Sequence, residues 1–319
     1  SKLKLSKGEA LEGWRVAWLG KVLEKKVGLL EKNSIDSGAY LILFEDKEGY
    51  YIPKPEFGKF DINEDNIFYR GHSFEEVLAS GKDILGEEIL SEGEPSYENI
   101  VNVLPPIEKD SYGILGSPTT WGKLIVLPNG DILTQPVNGE SSKIFSLREE
   151  YSFISGESEY TLSVTPFQGL MGEWMPIIST RFALLNELVE AIYFVVPGET
   201  QRNPSVRICM SVYSKTETEI KLKQRKLYTV RLDKNRIEKI SLSDDQYYDK
   251  FITTLLYWLD FKKNISLIET PEENIYRFFI GSLAQSTIVF SGDSPHYGAG
   301  PSYWNECHDH FPPNYISSA

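Results

Sequence analysis

Three of the four histidines in this 319-residue chain fall in one stretch, Ser291 to Tyr315. His296, His308 and His310 share it with Tyr297, Tyr303, Trp304 and Phe311, with the carboxylates Asp293, Glu306 and Asp309, and with the thiol of Cys307. Glycines and prolines punctuate the stretch so densely that neither a helix nor a central strand persists, which predicts a loop. Loops that concentrate titratable and aromatic groups are where binding and catalysis usually sit. Imidazoles and carboxylates can hydrogen-bond hydroxyl groups, and indole and phenol rings offer flat apolar faces. Such a mixture suits binding or catalysis, and its aromatic rings are compatible with the stacking platforms of sugar sites.

Each residue also has a plainer use. Trp304 reads either as a stacking platform or as an aromatic filling a core or an interface. His308 and Asp309 read as partners of sugar hydroxyls or of one another. A metal site is a third reading, because His308 and His310 alternate along an extended segment beside Glu306, Cys307 and Asp309, although no strong zinc spacing is matched. Cys307 acting as a nucleophile with His308 is disfavoured, since neighbours on an extended segment point apart.

Composition narrows the classes. Apolar residues make up 41% of the chain and charged residues 25%, enough for a globular core and, at this length, for two domains. Acidic residues outnumber basic ones by 46 to 33, giving a net charge of -13. That surface repels phosphate backbones, so nucleic acid is not an expected partner. The longest apolar runs, Ala39–Phe44 and Ala191–Val196, fall far short of the roughly 20 residues a membrane helix needs. A soluble chain with no membrane partner is expected. No signal peptide precedes Ser1 and the compartment stays open. Cys209 and Cys307 allow one bridge or two free thiols.

The elements that must position the loop come in a definite order. Residues 1–110 read as a mixed α/β segment. Ala10 to Lys26 fits a helix or a strand, Ala39–Phe44 and Tyr50–Ile52 form a hairpin, Ser73 caps a short helix ending at Gly81, and residues 80–96 form a surface excursion. Residues 111–245 carry strand texture at steady spacing, with a tight hairpin at Asn129–Gly130 that turn geometry explains without calcium. The expected strands include Leu124–Leu127, Ile132–Thr134, Tyr151–Ile154, Tyr160–Pro166, Ile177–Leu185, Val189–Val196, Ser205–Tyr213, Glu219–Leu222 and Tyr228–Leu232. Residues 246–319 begin with two helices. Phe251, Ile252, Leu255, Leu256, Trp258 and Leu259 recur at helical spacing. Thr270, Pro271 and Glu273 then form a capping box ahead of a stripe of Ile275, Phe278, Phe279, Leu283 and Phe290. The fold class expected is mainly β with α: a large antiparallel, supersandwich-like β-sandwich, then linker helices and a C-terminal loop. Glu173–Trp174 is either an exposed platform at a sheet edge or a core residue, and the acidic run Glu87–Glu98 a solvated face.

From Tyr112 onward this order resembles the front of the six-hairpin (α/α)6-barrel glycoside hydrolases. The strand texture to Leu232, the helix around Trp258, the Thr270-Pro-Glu-Glu helix and the His-Tyr-Gly, Tyr-Trp and His-Asp-His-Phe-Pro-Pro loop carry the resemblance. It implies that Trp304, His308 and Asp309 bind the sugar ahead of the scissile bond, although the Trp-x-Arg-Asp wording of those families is absent and Asn305-Glu-Cys stands between Trp304 and His308. A six-hairpin barrel takes on the order of 250 further residues. Its acid and base, about 6.5–9.5 Å apart in an inverting enzyme, are therefore expected outside this chain. The expected function is a carbohydrate-active protein, the N-terminal portion of a glycoside hydrolase, with residues 293–311 contributing to sugar binding. The substrate-binding candidates are His296, Tyr297, Tyr303, Trp304, Glu306, His308, Asp309 and His310, the partner is an oligo- or polysaccharide, and no cofactor is implied. The alternatives are a non-catalytic carbohydrate-binding or assembly module and a metal site at His308 and His310.

Overall fold

The computed structural model describes residues 2–4, 13–34, 38–45, 48–55, 74–91, 93, 113–118, 123–134, 141–155, 167–183, 186–199, 205–216, 220–233, 236–265, 273–288, 290–291 and 294–295. The fold is mainly β, with several antiparallel sheets and a few helices. Residues 1–56 and 112–319 form one compact unit and residues 57–111 a second.

In the larger unit the middle layer is a six-stranded sheet ordered β10-β11-β12-β13-β14-β15. Its strands are Phe167–Met171, Met175–Ala183, Glu187–Val195, Val206–Lys215, Ile220–Asp233 and Arg236–Ser241. Strands β12 and β13 are central and apolar on both faces. Ile192, Phe194 and Cys209 point into one core, while Val189, Ala191, Tyr193, Val206, Ile208 and Met210 point into another. Residues alternate sides along a strand, so a strand covered on both faces reads as an unbroken apolar run rather than an alternating one.

The first core lies under a five-stranded sheet ordered β1-β5-β4-β3-β2, formed by Lys2–Lys4, Arg15–Val22, Lys25–Asn33, Gly38–Phe44 and Glu48–Pro53. The segment left open between helix and strand is thus strand β2, and the expected hairpin is β4–β5. The second core lies under a four-stranded sheet, β6-β7-β8-β9, made of Gly113–Leu115, Leu124–Val126, Ile132–Thr134 and Lys143–Phe145. The Asn129–Gly130 turn joins β7 to β8. Gly130 adopts φ 82°, the Asn129 side chain accepts from Asp131 N at 3.0 Å, and the turn closes through Leu127 N to Asp131 O at 2.8 Å.

Five helices complete the described elements: α1 Phe74–Ser80, α2 Ile84–Ser91, α3 Leu147–Ser155, α4 Asp244–Asn264 and α5 Glu273–Ile288. The first two belong to the smaller unit. Helix α1 stops at Gly81, φ 60°, where expected. Helix α2 lies within the stretch 80–96 expected as a surface excursion, and the Asp83 carboxylate accepts from Gly86 N at 3.0 Å at its start.

Three other expectations are corrected. Tyr151–Ile154 is not a strand but lies within α3, where Leu147 and Tyr151 one turn apart are both buried. The two strands expected over 219–232 are one 14-residue strand, β14, carried through a bulge opposite Val212 and Tyr213. Helix α5 buries Ile280, Leu283, Ala284 and Ile288, whereas Ile275 is 54% and Phe278 78% exposed, so the buried stripe lies one residue row away from the expected one. Thr270, Pro271 and residues 160–166 lie outside the described residues.

Helix α4 is the longest helix and packs its Tyr247, Tyr248, Phe251, Ile252, Leu255 and Trp258 into the first core. It begins at Asp244, ahead of the periodic residues, because Ser243 and Gln246 form a capping box: Gln246 N donates to Ser243 Oγ at 3.3 Å and Ser243 N to Gln246 Oε1 at 3.0 Å. Asp244 and Asp245 in its first turn and Lys262 and Lys263 in its last complement the helix dipole.

Candidate functional site

The sugar-binding candidates His296, Tyr297, Tyr303, Trp304, Glu306, His308, Asp309 and His310 all lie outside the described residues, as do Asp293 and Cys307. Only the entrance to their segment is placed. Strand β16, Phe290–Ser291, pairs antiparallel with β17, Ser294–Pro295, directly after helix α5.

Among the described residues, two gatherings of charged and polar side chains bear on a site. The first is a buried network between the five-stranded and six-stranded sheets, built by strand register. On β11–β14, Arg181, Glu190, Ser211 and Arg225 stand opposite one another in one row. On β2–β4, Arg15, Glu31 and Tyr40 form the facing row. Lys54, immediately after β5, joins them: its Nζ lies 2.9 Å from Glu31 Oε1, 2.8 Å from Glu190 Oε2 and 2.8 Å from Asn33 Oδ1. Arg225 Nη2 donates to Glu31 Oε2 at 2.7 Å and Arg181 Nε to Glu190 Oε1 at 2.7 Å. Arg15 also pairs with Glu31.

Burial by itself would raise both carboxyls, but the surrounding cations override it. Lys54, Arg225 and Arg15 hold Glu31 well below the usual carboxylate range, and Arg181 and Lys54 hold Glu190 at about 2. Both carboxylates are therefore ionised at neutral pH, with every oxygen occupied: Glu31 also accepts from Tyr40 and Glu190 from Ser179 and Tyr213. Filled acceptors with depressed pKa values are poor proton-transfer groups. The network clamps two sheets together; it is not an acid–base pair.

The second is an open cleft of about 700 Å³ where the edge strand β2 meets strands β13 and β14 and the first two turns of α4. Trp18, Lys21, Arg207, Asp245, Asp249 and Lys250 are among its lining residues. Trp18 is 7% exposed and donates its indole Nε1–H to Asp245 Oδ1 at 2.7 Å. The ring lies over Gly20, where a Cβ would come within 2.1 Å of Trp18 Cζ2. Trp18 thus fixes a carboxylate at the cleft wall instead of offering its own face. Arg207 is held by both oxygens of Glu199, one bond being 2.9 Å. Nothing in the local sequence of β2 advertises this cleft, because its other walls come from residues about 190 to 230 positions away.

Trp174, one of the aromatics singled out from sequence, is 4% exposed and fills the first core. Cys209 is a buried free thiol, and burial, the largest influence, pushes its pKa up. Among the described residues no group of three or more His, Cys, Asp and Glu is placed to hold a metal ion, and no helix is long and apolar enough to cross a membrane. Compared with family models, with characterised proteins and with solved structures, the chain matches none.

Proposed function

We propose that this chain is the β-sandwich and linker portion of a carbohydrate-active protein of glycoside hydrolase type, in which residues 293–311 contribute to binding an oligo- or polysaccharide. One observation carries the reading: the layered antiparallel sheets are followed by α4, docked along the first core, and then by α5, which delivers the chain through the β16–β17 ladder into the segment rich in histidines, aromatics and carboxylates. A rigid scaffold that presents such a segment is the usual arrangement for a binding loop. Glycan-array binding by the whole chain tests this. Retention of defined oligosaccharides that is weakened by Trp304→Ala and by His308→Ala supports it, and an array on which no glycan is retained overturns it.

A second reading, a non-catalytic sugar-binding module, is favoured by the polar cleft beside Trp18, which belongs to the sandwich itself. Binding that survives Trp304→Ala supports this version. Trp174→Ala is not a suitable comparator, because removing a 4% exposed indole disturbs the core rather than a surface platform.

A further inference from the structure

We propose that the cleft bounded by β2, β13, β14 and the start of α4 is a binding site for an uncharged oligosaccharide, lined by residues other than those of the segment 293–311. The proposal rests on reading the chain as a carbohydrate-active protein. Its volume of about 700 Å³ falls within the range of small-molecule sites and suits a short run of sugar rings.

Charge decides the ligand class. Arg207 is neutralised by Glu199 in a two-pronged pair. The remaining charged side chains of the lining are Lys21 and Lys250 against Asp245 and Asp249, which cancel. A phosphate or uronate gains nothing from such a wall and meets two carboxylates, one of them held in place by the 2.7 Å bond from Trp18. Hydroxyl groups are served better. Each donates to a carboxylate and accepts from an ammonium or amide, and groups of both kinds line this opening.

Hydrogen-bonding capacity is also left over. The Lys21 side chain makes no hydrogen bond or ion pair with other described residues, and among those residues the one ion pair of the Asp249 carboxylate is to Lys250, at 3.8 Å. The Gln246 side-chain oxygen is spent on Ser243 N, which leaves its amide N–H groups for a ligand. Leu19, 70% exposed on the edge strand, supplies an apolar surface of the kind that meets the C–H face of a sugar ring.

The test is calorimetric titration of the whole chain with maltotriose, cellotriose and mannotriose, with trigalacturonate as the charged comparator. At least one neutral trisaccharide is expected to bind, and the double variant Lys21→Ala/Asp249→Ala is expected to weaken it about tenfold or more, the loss of one or two hydrogen bonds to charged groups. Both substituted side chains are solvent-accessible, and an unchanged thermal melt verifies that the variant is folded. Trp304→Ala should leave this affinity alone, so failure of the cleft and failure of the 293–311 reading give different patterns. The proposal is overturned if no neutral trisaccharide binds, if trigalacturonate binds more tightly than all three, or if the double variant binds as the unaltered chain does.

Discussion

Lys54 and Glu190 meet at 2.8 Å with side-chain exposures of 0% and 1%, one contributed by the five-stranded sheet and the other by the six-stranded sheet. The ammonium stands between two carboxylates, Glu31 and Glu190, that without it would face each other in the core. Breaking a buried pair by deleting one partner costs far more than the pair contributes net, because the remaining charge is stranded. Lys54→Met is therefore expected to lower the unfolding free energy by about 3–5 kcal/mol, read from the midpoint of urea denaturation. A loss below about 1 kcal/mol, the range of exposed pairs, would show that the clamp is not holding the sheets.

The same network fixes a pH response. The Glu190 carboxyl titrates at about 2 in the folded protein against an ordinary value of 4.5, and Glu31 is lowered as well. Above the ordinary value both folded and unfolded chains carry the charge, so stability does not change with pH on this account. As pH falls from about 4.5 towards about 2, the unfolded chain takes up protons that the folded chain refuses, and stability is lost. Glu190 alone accounts for on the order of 3 kcal/mol across that window. Melting curves from pH 7 to pH 2.5 should be flat in the upper part and fall below pH 4.5. Glu190→Gln should melt lower throughout but with a shallower acid slope, and equal slopes would remove this residue from the explanation.

Why the network was not legible in the sequence follows from how it is made. Glu31 shares strand β3 with Lys25, Lys26 and Lys32, and Glu190 shares strand β12 with Glu187, so neither stands out until register sets Arg181 across from Glu190 and Arg15 across from Glu31. Pairings of that separation in sequence leave no local mark. Individual strands were legible, because β4, β12 and β13 carry apolar runs of strand length and Asn129–Gly130 dictates its own turn, but the five-stranded layer was not, since residues 1–110 read as a mixed α/β segment. The strand expected over Tyr151–Ile154 is helix α3 instead, and its cap has a local mark: the Ser146 hydroxyl accepts from Glu149 N at 3.4 Å, a Ser-x-x-Glu spacing that stands in the sequence. The candidate residues of 293–311 were read from type and clustering alone, and their geometry lies outside the described residues.

The turn between β10 and β11 joins strain to an ion pair. Gly172 and Glu173 both have positive φ, 61° and 67°; the first is costless for glycine, while the second strains a residue that carries a Cβ. Glu173 is held there by an ion pair to Arg277 of helix α5, and the turn sets Trp174 against Gly281, whose Cβ position is 3.6 Å from Trp174 Cα. Glu173→Ala loses the pair and keeps the strain, whereas Glu173→Gly loses both. The glycine variant is expected to be the more stable of the two by about 1 kcal/mol, measured as the difference in urea midpoints. The reverse order would mean that the backbone at 173 is not held in the left-handed region.

Gly20 and Gly28 offer a matched comparison on paired strands. A methyl group at Gly20 would fall 2.1 Å from Trp18 Cζ2 and 2.6 Å from Cη2, atoms of a rigid indole that is packed in the first core and tied to Asp245. At Gly28 the nearest atom is the Leu19 Cδ2 methyl at 3.0 Å, the far end of a side chain that is 70% exposed and free to turn away. Gly20→Ala must displace the indole and break its bond to Asp245, which places it with overpacked cores at about 1–3 kcal/mol of lost stability. Gly28→Ala should be close to neutral or mildly stabilising, since alanine narrows the unfolded ensemble by roughly 0.4–1 kcal/mol. The indole that fixes Asp245 moves only in the first variant, so Gly20→Ala should weaken any trisaccharide bound beside Asp245 more than Gly28→Ala, which displaces only a methyl group of Leu19 at the cleft. Equal urea midpoints for the two variants would contradict the seat assigned to Trp18.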